Sequence, residues 1–195
     1  MSLREEILEV SKEILIEDGF SKMSMRKIAK RADITATSIY LHFKNKDDLL
    51  LALIEESIKN LKSALINVID PSKDLIRQLE DLADTYIDYA LKHPQEYQVI
   101  YMVRPEEMPK YPKEKFKNIR STYELLADII SEGKKNDLID VESSLISAYT
   151  LWAQLHGVVS VILSKRLDTR IPRDQFIEQA VENIIQGFIS QKKPV

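Results

Sequence analysis

The chain has 195 residues, and its hydrophobic content of 44 % is enough to build a sizeable core in one or two domains. It contains no cysteine, which excludes disulfides, thiol nucleophiles and thiolate metal sites together. The N-terminal residues MSLREEI lack the apolar segment of a signal peptide, and no apolar run is expected to approach the roughly twenty residues that span a bilayer. These features predict a soluble cytoplasmic protein, with no metal and no cofactor.

The first predicted helix ends at Gly19 and is amphipathic. Its apolar residues recur at helical spacing on one broad face. They are Leu3, Ile7, Leu8, Val10, Ile14 and Leu15. Phe20 follows the helix, and we expect it to pack into a small core with Ile28 and Ile39.

Positive charge is concentrated in the next stretch, residues 21–46. This stretch has seven basic residues and one acidic residue, a local charge of +6 in a chain whose net charge is −3. Such an asymmetry is typical of a surface that binds a polyanion, because each Lys or Arg set against a phosphate releases condensed counterions.

The same stretch predicts two short helices separated by a tight turn. Ser24 is the expected N-cap of the first helix, and Asp33 is expected to adopt the left-handed backbone of the turn. Thr35 is the expected N-cap of the second helix, which begins with the small side chains of residues 36–38. In a helix-turn-helix the start of the second helix enters the major groove, where such side chains meet base edges.

The residues from Ile28 to Leu49 follow the pattern I-A-x-x-A-x-I-T-x-x-x-I-Y-x-H-F-x-x-K-x-x-L. This pattern closely resembles the DNA-binding signature of tetracycline-repressor (TetR) type regulators. The chain has Asp33 where the family often has Gly, and Leu41 where it often has a polar or aromatic residue. The resemblance implies an all-α fold: a three-helix DNA-binding head at residues 1–61, with its helix-turn-helix at about 24–43, and a helical ligand-binding and dimerisation domain at residues 62–195.

The resemblance also implies which residues lie at or beside the DNA. Ala36 and Thr37 are expected to contact base edges. The expected phosphate contacts are Lys22, Arg26, Lys27, Tyr40 and Lys46. The remaining members of the predicted set are Ser24, Thr35, Ser38, Leu41 and His42. A purely structural role is the alternative for each of them, such as capping by Thr35 or packing by His42.

The rest of the chain also predicts helices. A long helix starts after Asn45, with Asp48 at the N3 position, and continues to about Ile69, so it would join the head to the body. Further helices are predicted over 72–92, from Pro94, from 116 to Gly133, over 141–166 and from about residue 172. No strand, internal repeat or phosphate-binding glycine loop is predicted.

Aromatic residues of the body are candidates for a ligand pocket. Trp152, His156 and Gly157 resemble the W-x-x-x-H-G signature of one group of TetR-type C-terminal domains, and Gly157 is expected to permit close approach of another helix. A second group of Tyr and Met residues suits a mostly apolar ligand with a polar group. The candidate set is Tyr97, Tyr101, Met102, Met108, Tyr111, Phe116, Tyr123, Tyr149, Trp152 and His156. Packing in a core is the alternative for both groups.

The two C-terminal helices are apolar on more than one face, so a monomer would expose a large apolar patch. The resemblance implies that they pair with those of a second subunit in a four-helix bundle. A two-fold dimer predicts a near-palindromic DNA site, with its recognition helices one or two turns of DNA apart. A monomeric helical core is the alternative.

No catalytic arrangement is predicted. The histidines His42, His93 and His156 are far apart in sequence, and H-E-x-x-H, nucleophile-elbow and P-loop motifs are lacking. The main hypothesis is a repressor, not an enzyme, that a small ligand releases from double-stranded DNA. The alternatives are an activator or DNA-organising protein without small-molecule control, and a helical small-molecule-binding protein or enzyme whose basic stretch is only solvated.

Overall fold

The computed structural model describes residues 2–101 and 116–189. Within these ranges the regular secondary structure is helical, which confirms the predicted all-α fold. The helices are α1 Leu3–Asp18, α2 Met25–Arg31, α3 Ala36–Tyr40, α4 Lys46–Ile66, α5 Leu75–Lys92, α6 Pro94–Tyr101, α7 Phe116–Lys135, α8 Ser144–Leu163 and α9 Arg173–Ile189. A 3-10 helix, Phe20–Lys22, lies between α1 and α2.

The described residues form two compact units. The head unit contains residues 2–60 and 93–101, and the body unit contains residues 61–92 and 117–189. Helix α4 belongs to both units, since its first fifteen residues lie in the head and its last six in the body. The head unit therefore includes α6. The functional division at residue 61 stays a prediction.

Short-range polar contacts set the helix ends of the head unit. Ser24 and Thr35 cap α2 and α3 as predicted, since each hydroxyl accepts the backbone N–H three residues later. Asn45 caps α4 in the same way, with its side-chain oxygen 2.8 Å from the Asp48 nitrogen. Asp33 has the predicted left-handed backbone, with a φ of +53°. These contacts fix the tight turn that orients α3 relative to α2.

The head unit has its own apolar core. Phe20, Ile28 and Ile39 are all buried, as predicted, with exposed fractions of 7 %, 0 % and 0 %. Helix α1 packs against α2 and α6, and α2 packs against α3. Helix α3 is therefore held by side chains on its inner face, which leaves its outer face accessible.

Four predicted helix ends were wrong by about three residues. Two belong to α8, which was predicted over 141–166 and spans Ser144–Leu163. Helix α4 ends at Ile66 and not near Ile69, because the N–H groups of Val68 and Ile69 bond to carbonyl groups three residues back instead of four. Helix α5 begins at Leu75 and not at Ser72. Asp70 accepts both the N–H and the hydroxyl of Ser72, and these bonds hold a turn before α5.

The predicted roles of two glycines were also wrong. Gly133 does not end a helix, since α7 continues to Lys135. A Cβ atom at Gly133 would lie only 2.3 Å from Cδ2 of Leu75, so this glycine makes room for a close side chain. Gly157 was expected to allow close helix approach, but a Cβ atom there would meet no atom within 4 Å.

Helix α8 packs against α5 and α9 in the body unit. The expectation that no apolar run approaches membrane-spanning length was wrong, because α8 has 20 residues and a mean hydropathy of 1.4. It is the one helix in residues 2–101 and 116–189 that is long and apolar enough, by length and composition, to cross a membrane. Only 28 % of the apolar window is buried inside the single chain, so α8 keeps a large exposed apolar surface.

Candidate nucleic-acid interface

The outer face of α3 carries exposed side chains on a well-packed helix. Ile39 and Phe43 face inward and are 0 % and 2 % exposed. Thr37 is exposed, and Tyr40 and Leu41 have exposed fractions of 55 % and 80 %. The Leu41 N–H donates to the Thr37 carbonyl at 3.2 Å, so the helical turn continues to Leu41 and places it on the same side as Thr37.

The start of α3 presents hydroxyl groups. The hydroxyls of Thr35 and Ser38 lie 2.8 Å apart, and the Thr35 hydroxyl also accepts the Ser38 N–H. Ala36 and Ser38 are half-buried, whereas Thr35 and Thr37 are exposed. Because Thr35 and Ser38 already bond to one another, Thr37 is the more accessible hydroxyl for a base edge.

The predicted phosphate-binding cations differ in their surroundings. Lys22 and Arg26 are exposed. The Lys27 ammonium lies 2.7 Å from a carboxylate oxygen of Asp18. The Lys46 ammonium donates to the Phe20 carbonyl at 2.9 Å. Lys22 and Arg26 can thus meet a phosphate directly, whereas Lys27 and Lys46 would first exchange an existing bond.

Acidic residues of α1 offset part of the basic charge of α2. Arg31 makes two hydrogen bonds to the Glu17 carboxylate and lies 3.5 Å from Glu13. The hydrogen bond from Arg31 lowers the pKa of the Glu17 carboxyl, and the one from Lys27 lowers the pKa of the Asp18 carboxyl, because each stabilises the charged form. Only part of the local charge of +6 is therefore available to interact with an external polyanion, because Lys27 and Arg31 already pair with carboxylates of α1.

Two cations near the end of α3 were missed as candidates from the sequence. The guanidinium of Arg4 lies 5.4 Å from the centre of the Phe43 ring. Arg4 and Lys44 are both exposed. His42 is also exposed, and its ring lies 6.4 Å from that of Phe43. Sequence spacing carried no signal for Arg4, because its position depends on how α1 packs. Lys44 was counted only as part of the basic stretch.

Four predicted ligand residues form one aromatic cluster in the body unit. The ring of Tyr123 lies 4.5 Å from that of Tyr149 and 5.0 Å from that of Trp152, and Trp152 lies 5.2 Å from His156. The Trp152 indole N–H donates to the hydroxyl of Tyr86 at 3.2 Å, a partner that the sequence did not reveal. Burial lowers the pKa of His156, which favours its neutral form.

The other predicted ligand residues lie elsewhere. Tyr97 and Tyr101 form a ring pair in the head unit, with their centres 4.8 Å apart, and Tyr97 is buried. Met102, Met108 and Tyr111 lie outside the described residues, as does the side chain of Phe116. The described candidates are thus divided between the two units.

The body unit also has a groove between α5 and α9 that the sequence did not predict. Its volume is about 640 Å³, and it is lined mainly by carboxylates, with one Arg. The charged lining residues are Arg77, Glu80, Asp84, Asp88, Asp174, Glu178 and Glu182. Burial and the neighbouring carboxylates raise the pKa of Asp84. None of the predicted ligand residues in the described part of the chain lines this groove.

Known proteins resemble both parts of the chain. Residues 7–53 match the family "Bacterial regulatory proteins, tetR family", and residues 79–184 match "Tetracyclin repressor-like, C-terminal domain". The solved structure of the fatty acid degradation regulator FadR from Bacillus halodurans has a TM-score of 0.78 and 17 % identity, covering 93 % of this chain and 94 % of that one. This likeness shows a shared fold.

Sequence relatives match shorter stretches. The fatty acid metabolism regulator protein of Bacillus subtilis is 38 % identical over 53 residues, which are 27 % of each chain. The transcriptional activator FasR of Mycolicibacterium smegmatis is 26 % identical over 98 residues, 50 % of this chain and 45 % of that one. The chain thus spans less than half the length of these relatives. Because the C-terminal family model alone matches more than half of the residues, the chain belongs to the TetR family of bacterial regulatory proteins.

Proposed function

We propose that this TetR-family regulator is a repressor that binds DNA as a homodimer in the cytoplasm and leaves it when a small molecule binds. The observation that carries the proposal is the outer face of α3. Thr37, Tyr40 and Leu41 are exposed there on a helix whose other side is buried, and the exposed cations Arg26 and Lys44 belong to the same basic stretch. Such a face suits the major groove of duplex DNA.

The residues of the head have distinct proposed roles. Ala36 and Thr37 contact base edges, and the exposed cations contact phosphates. The proposed phosphate contacts are Lys22, Arg26, Lys27, Tyr40 and Lys46, to which the structure suggests adding Arg4 and Lys44. In this proposal residues 1–61 are the DNA-binding part, and residues 62–195 bind the ligand and form the dimer.

The exposed apolar surface of α8 supports the homodimer. Leu145 and Ile146 have exposed fractions of 51 % and 69 %. A groove of about 320 Å³ between α8 and α9 includes Ile146 and Ile184 in its lining. A second copy would cover these side chains, which water otherwise contacts. Two-fold symmetry then requires a near-palindromic operator, with half-sites about 34 Å or a multiple apart.

The aromatic cluster of Tyr123, Tyr149, Trp152 and His156 is the proposed ligand-binding region, of the W-x-x-x-H-G type. Tyr149 is partly exposed and His156 is half-buried, so the cluster combines apolar rings with accessible polar groups. Two similar proteins are named as regulators of fatty acid metabolism or degradation, and this supports fatty acids as the first compounds to test.

Release from DNA requires that the ligand bind one arrangement of the dimer better than the other. A coupling free energy of about 1–3 kcal/mol would reduce DNA affinity about 5- to 150-fold. Helix α4 is the proposed connection, because it belongs to both compact units. The similar protein FasR is a transcriptional activator by name, so activation of transcription by the same DNA-binding head is the second candidate function.

The first test is selection of bound fragments from a random duplex DNA library, using the full chain at near-physiological salt. Enrichment of an inverted repeat is the expected result, and it would supply the operator for ligand-release assays. No enrichment, together with no salt-dependent binding to bulk DNA, would refute the proposed function. Transcription from the operator in vitro, with and without the protein, distinguishes a repressor from an activator.

A further inference from the structure

We propose that Leu41 contacts the 5-methyl group of a thymine in the major groove, so that the chain prefers thymine at one position of each operator half-site. This inference rests on the proposed DNA-binding function and deepens it. It assigns one determinant of sequence choice to an apolar contact, beside the hydroxyl contact proposed for Thr37.

Leu41 is exposed to a degree that packing does not explain. Its exposed fraction of 80 % is the highest among the large hydrophobic side chains in the described part of the chain. Its neighbours Ile39 and Phe43 fill the core of the head unit and are 0 % and 2 % exposed. The fold therefore buries the apolar residues two positions before and two positions after Leu41 and leaves Leu41 itself in water, where any contact that covers an apolar side chain is favourable.

Leu41 points to the same side of the helix as Thr37. The hydrogen bond from its N–H to the Thr37 carbonyl closes one helical turn, so the two side chains, four residues apart, are about 6 Å apart along the axis. Successive base pairs are about 3.4 Å apart along duplex DNA. If Thr37 contacts one base edge, Leu41 is then within reach of an edge one or two base pairs away.

The chemistry of the major groove selects one partner for a leucine. Leucine has no hydrogen-bonding group in its side chain, so it cannot distinguish the donors and acceptors of base edges. Thymine alone presents a methyl group there. The exposed cations Arg26 and Lys44 of the same basic stretch suit the flanking phosphates, and this charge complementarity favours duplex DNA as the molecule that covers Leu41.

The experiment replaces single thymines of the selected operator by deoxyuridine, which removes only the 5-methyl group. Dissociation constants are measured for wild type and Leu41→Ala on each duplex. At one position per half-site, replacement of thymine by deoxyuridine should weaken wild-type binding about fourfold, which corresponds to the loss of one buried methyl group. The same replacement should leave the affinity of Leu41→Ala unchanged, and selection with this variant should recover sites without a thymine preference there.

Leu138→Ala is the matched control, because Leu138 is a leucine of the body unit with an exposed fraction of 50 %. This variant should keep the full response to deoxyuridine. The inference would be overturned if deoxyuridine replacement changed the affinities of wild type and Leu41→Ala equally at every position. It would also be overturned if the selected half-sites showed no preference for thymine at any position. Both results still include sequence-specific binding, so they leave the proposed function intact. Complete absence of DNA binding by wild type would overturn both.

Discussion

The ammonium group of Lys46 donates a hydrogen bond to the backbone carbonyl of Phe20 and lies 3.9 Å from the centre of the Phe20 ring. This double contact joins the first residue of α4 to the 3-10 helix that precedes α2. The two residues are 26 positions apart, and the whole helix-turn-helix lies between them in sequence. Lys46 therefore stabilises the fold of the head, whatever contact it makes with DNA.

Replacement of Lys46 by alanine should lower the free energy of unfolding by about 1–3 kcal/mol, because it removes a hydrogen bond from a charged donor and a cation–π contact. Urea denaturation followed by circular dichroism measures this change. Lys44→Ala is the control, since Lys44 is exposed, and its effect should be within about 0.5 kcal/mol. Equal stabilities of wild type and Lys46→Ala would show that the double contact contributes nothing.

The Lys46→Ala variant also tests the proposed phosphate contact. It should weaken binding to all DNA sequences similarly and lower the slope of log affinity against log salt by about one. An altered choice of sequence with an unchanged slope would contradict that role.

The exposed residues Thr37 and Arg26 should affect DNA binding in different ways. Thr37→Ala should change the preferred base at one position, with a change in discrimination of about 1–3 kcal/mol, because the hydroxyl is proposed to contact a base edge. Arg26→Ala should weaken binding to all DNA sequences about equally and reduce the slope of log affinity against log salt by about one. Binding to a panel of single-base operator variants measures both effects. The assignment of Thr37 to a base edge and of Arg26 to a phosphate fails if both variants change the affinities across the operator panel in the same way.

Removal of the Asp18 charge should strengthen DNA binding. Because the bond from Lys27 lowers the pKa of Asp18, the pair persists at neutral pH and is lost only as the pH falls through the lowered pKa. Asp18→Asn releases Lys27 for a phosphate, so we expect up to about a fivefold gain in affinity, given the strength of exposed ion pairs, and a steeper salt dependence.

Asp137→Asn removes the same charge from the body unit and is the control for a change in net charge alone. Fluorescence anisotropy titrations at several salt concentrations measure both variants. If Asp137→Asn strengthens binding as much as Asp18→Asn does, the effect is one of net charge and not of the ion pair.

A charge on the exposed face of α8 should prevent dimer formation. Ile146 has an exposed fraction of 69 %, and burial of a new carboxylate in an apolar interface is costly. Ile146→Glu should therefore sediment as a monomer of 22.6 kDa, whereas wild type should sediment as the proposed dimer. Ile171→Glu is the control, because Ile171 lies between α8 and α9 and is 45 % exposed. A dimeric Ile146→Glu protein would place the interface elsewhere.

Addition of a methyl group at Gly133 should destabilise the body unit. The new Cβ atom would lie 2.3 Å from Leu75 Cδ2, and overpacking of this kind costs about 1–3 kcal/mol. The gain in helix propensity of about 1 kcal/mol offsets part of this cost, so we expect a net loss of about 1 kcal/mol. In a Leu75→Ala background the same Gly133→Ala change should become stabilising. Denaturant unfolding of the four proteins in this double-mutant cycle tests the contact.

Much of the head could be predicted from sequence because its signals act over a few residues. The caps at Ser24, Thr35 and Asn45 each bond to a backbone N–H three positions away, and the left-handed turn at Asp33 depends on one residue. The spacing of apolar residues likewise predicted the buried face that includes Ile28 and Ile39. Such contacts are satisfied within a single turn, so the order of residues is sufficient to reveal them.

The sequence by itself determined the helical fold and the helix-turn-helix, since these follow from local spacing, and its residues from Ile28 to Leu49 carried the resemblance to the family. Only the tertiary structure decided which cations remain exposed, because Lys27 and Arg31 pair with acidic residues of α1 that lie 9 to 18 positions earlier. It also decided that Gly133 lies against Leu75 and that Leu41 stays in water. These outcomes depend on how helices pack against one another, and the spacing of residues along one helix carries no information about that packing.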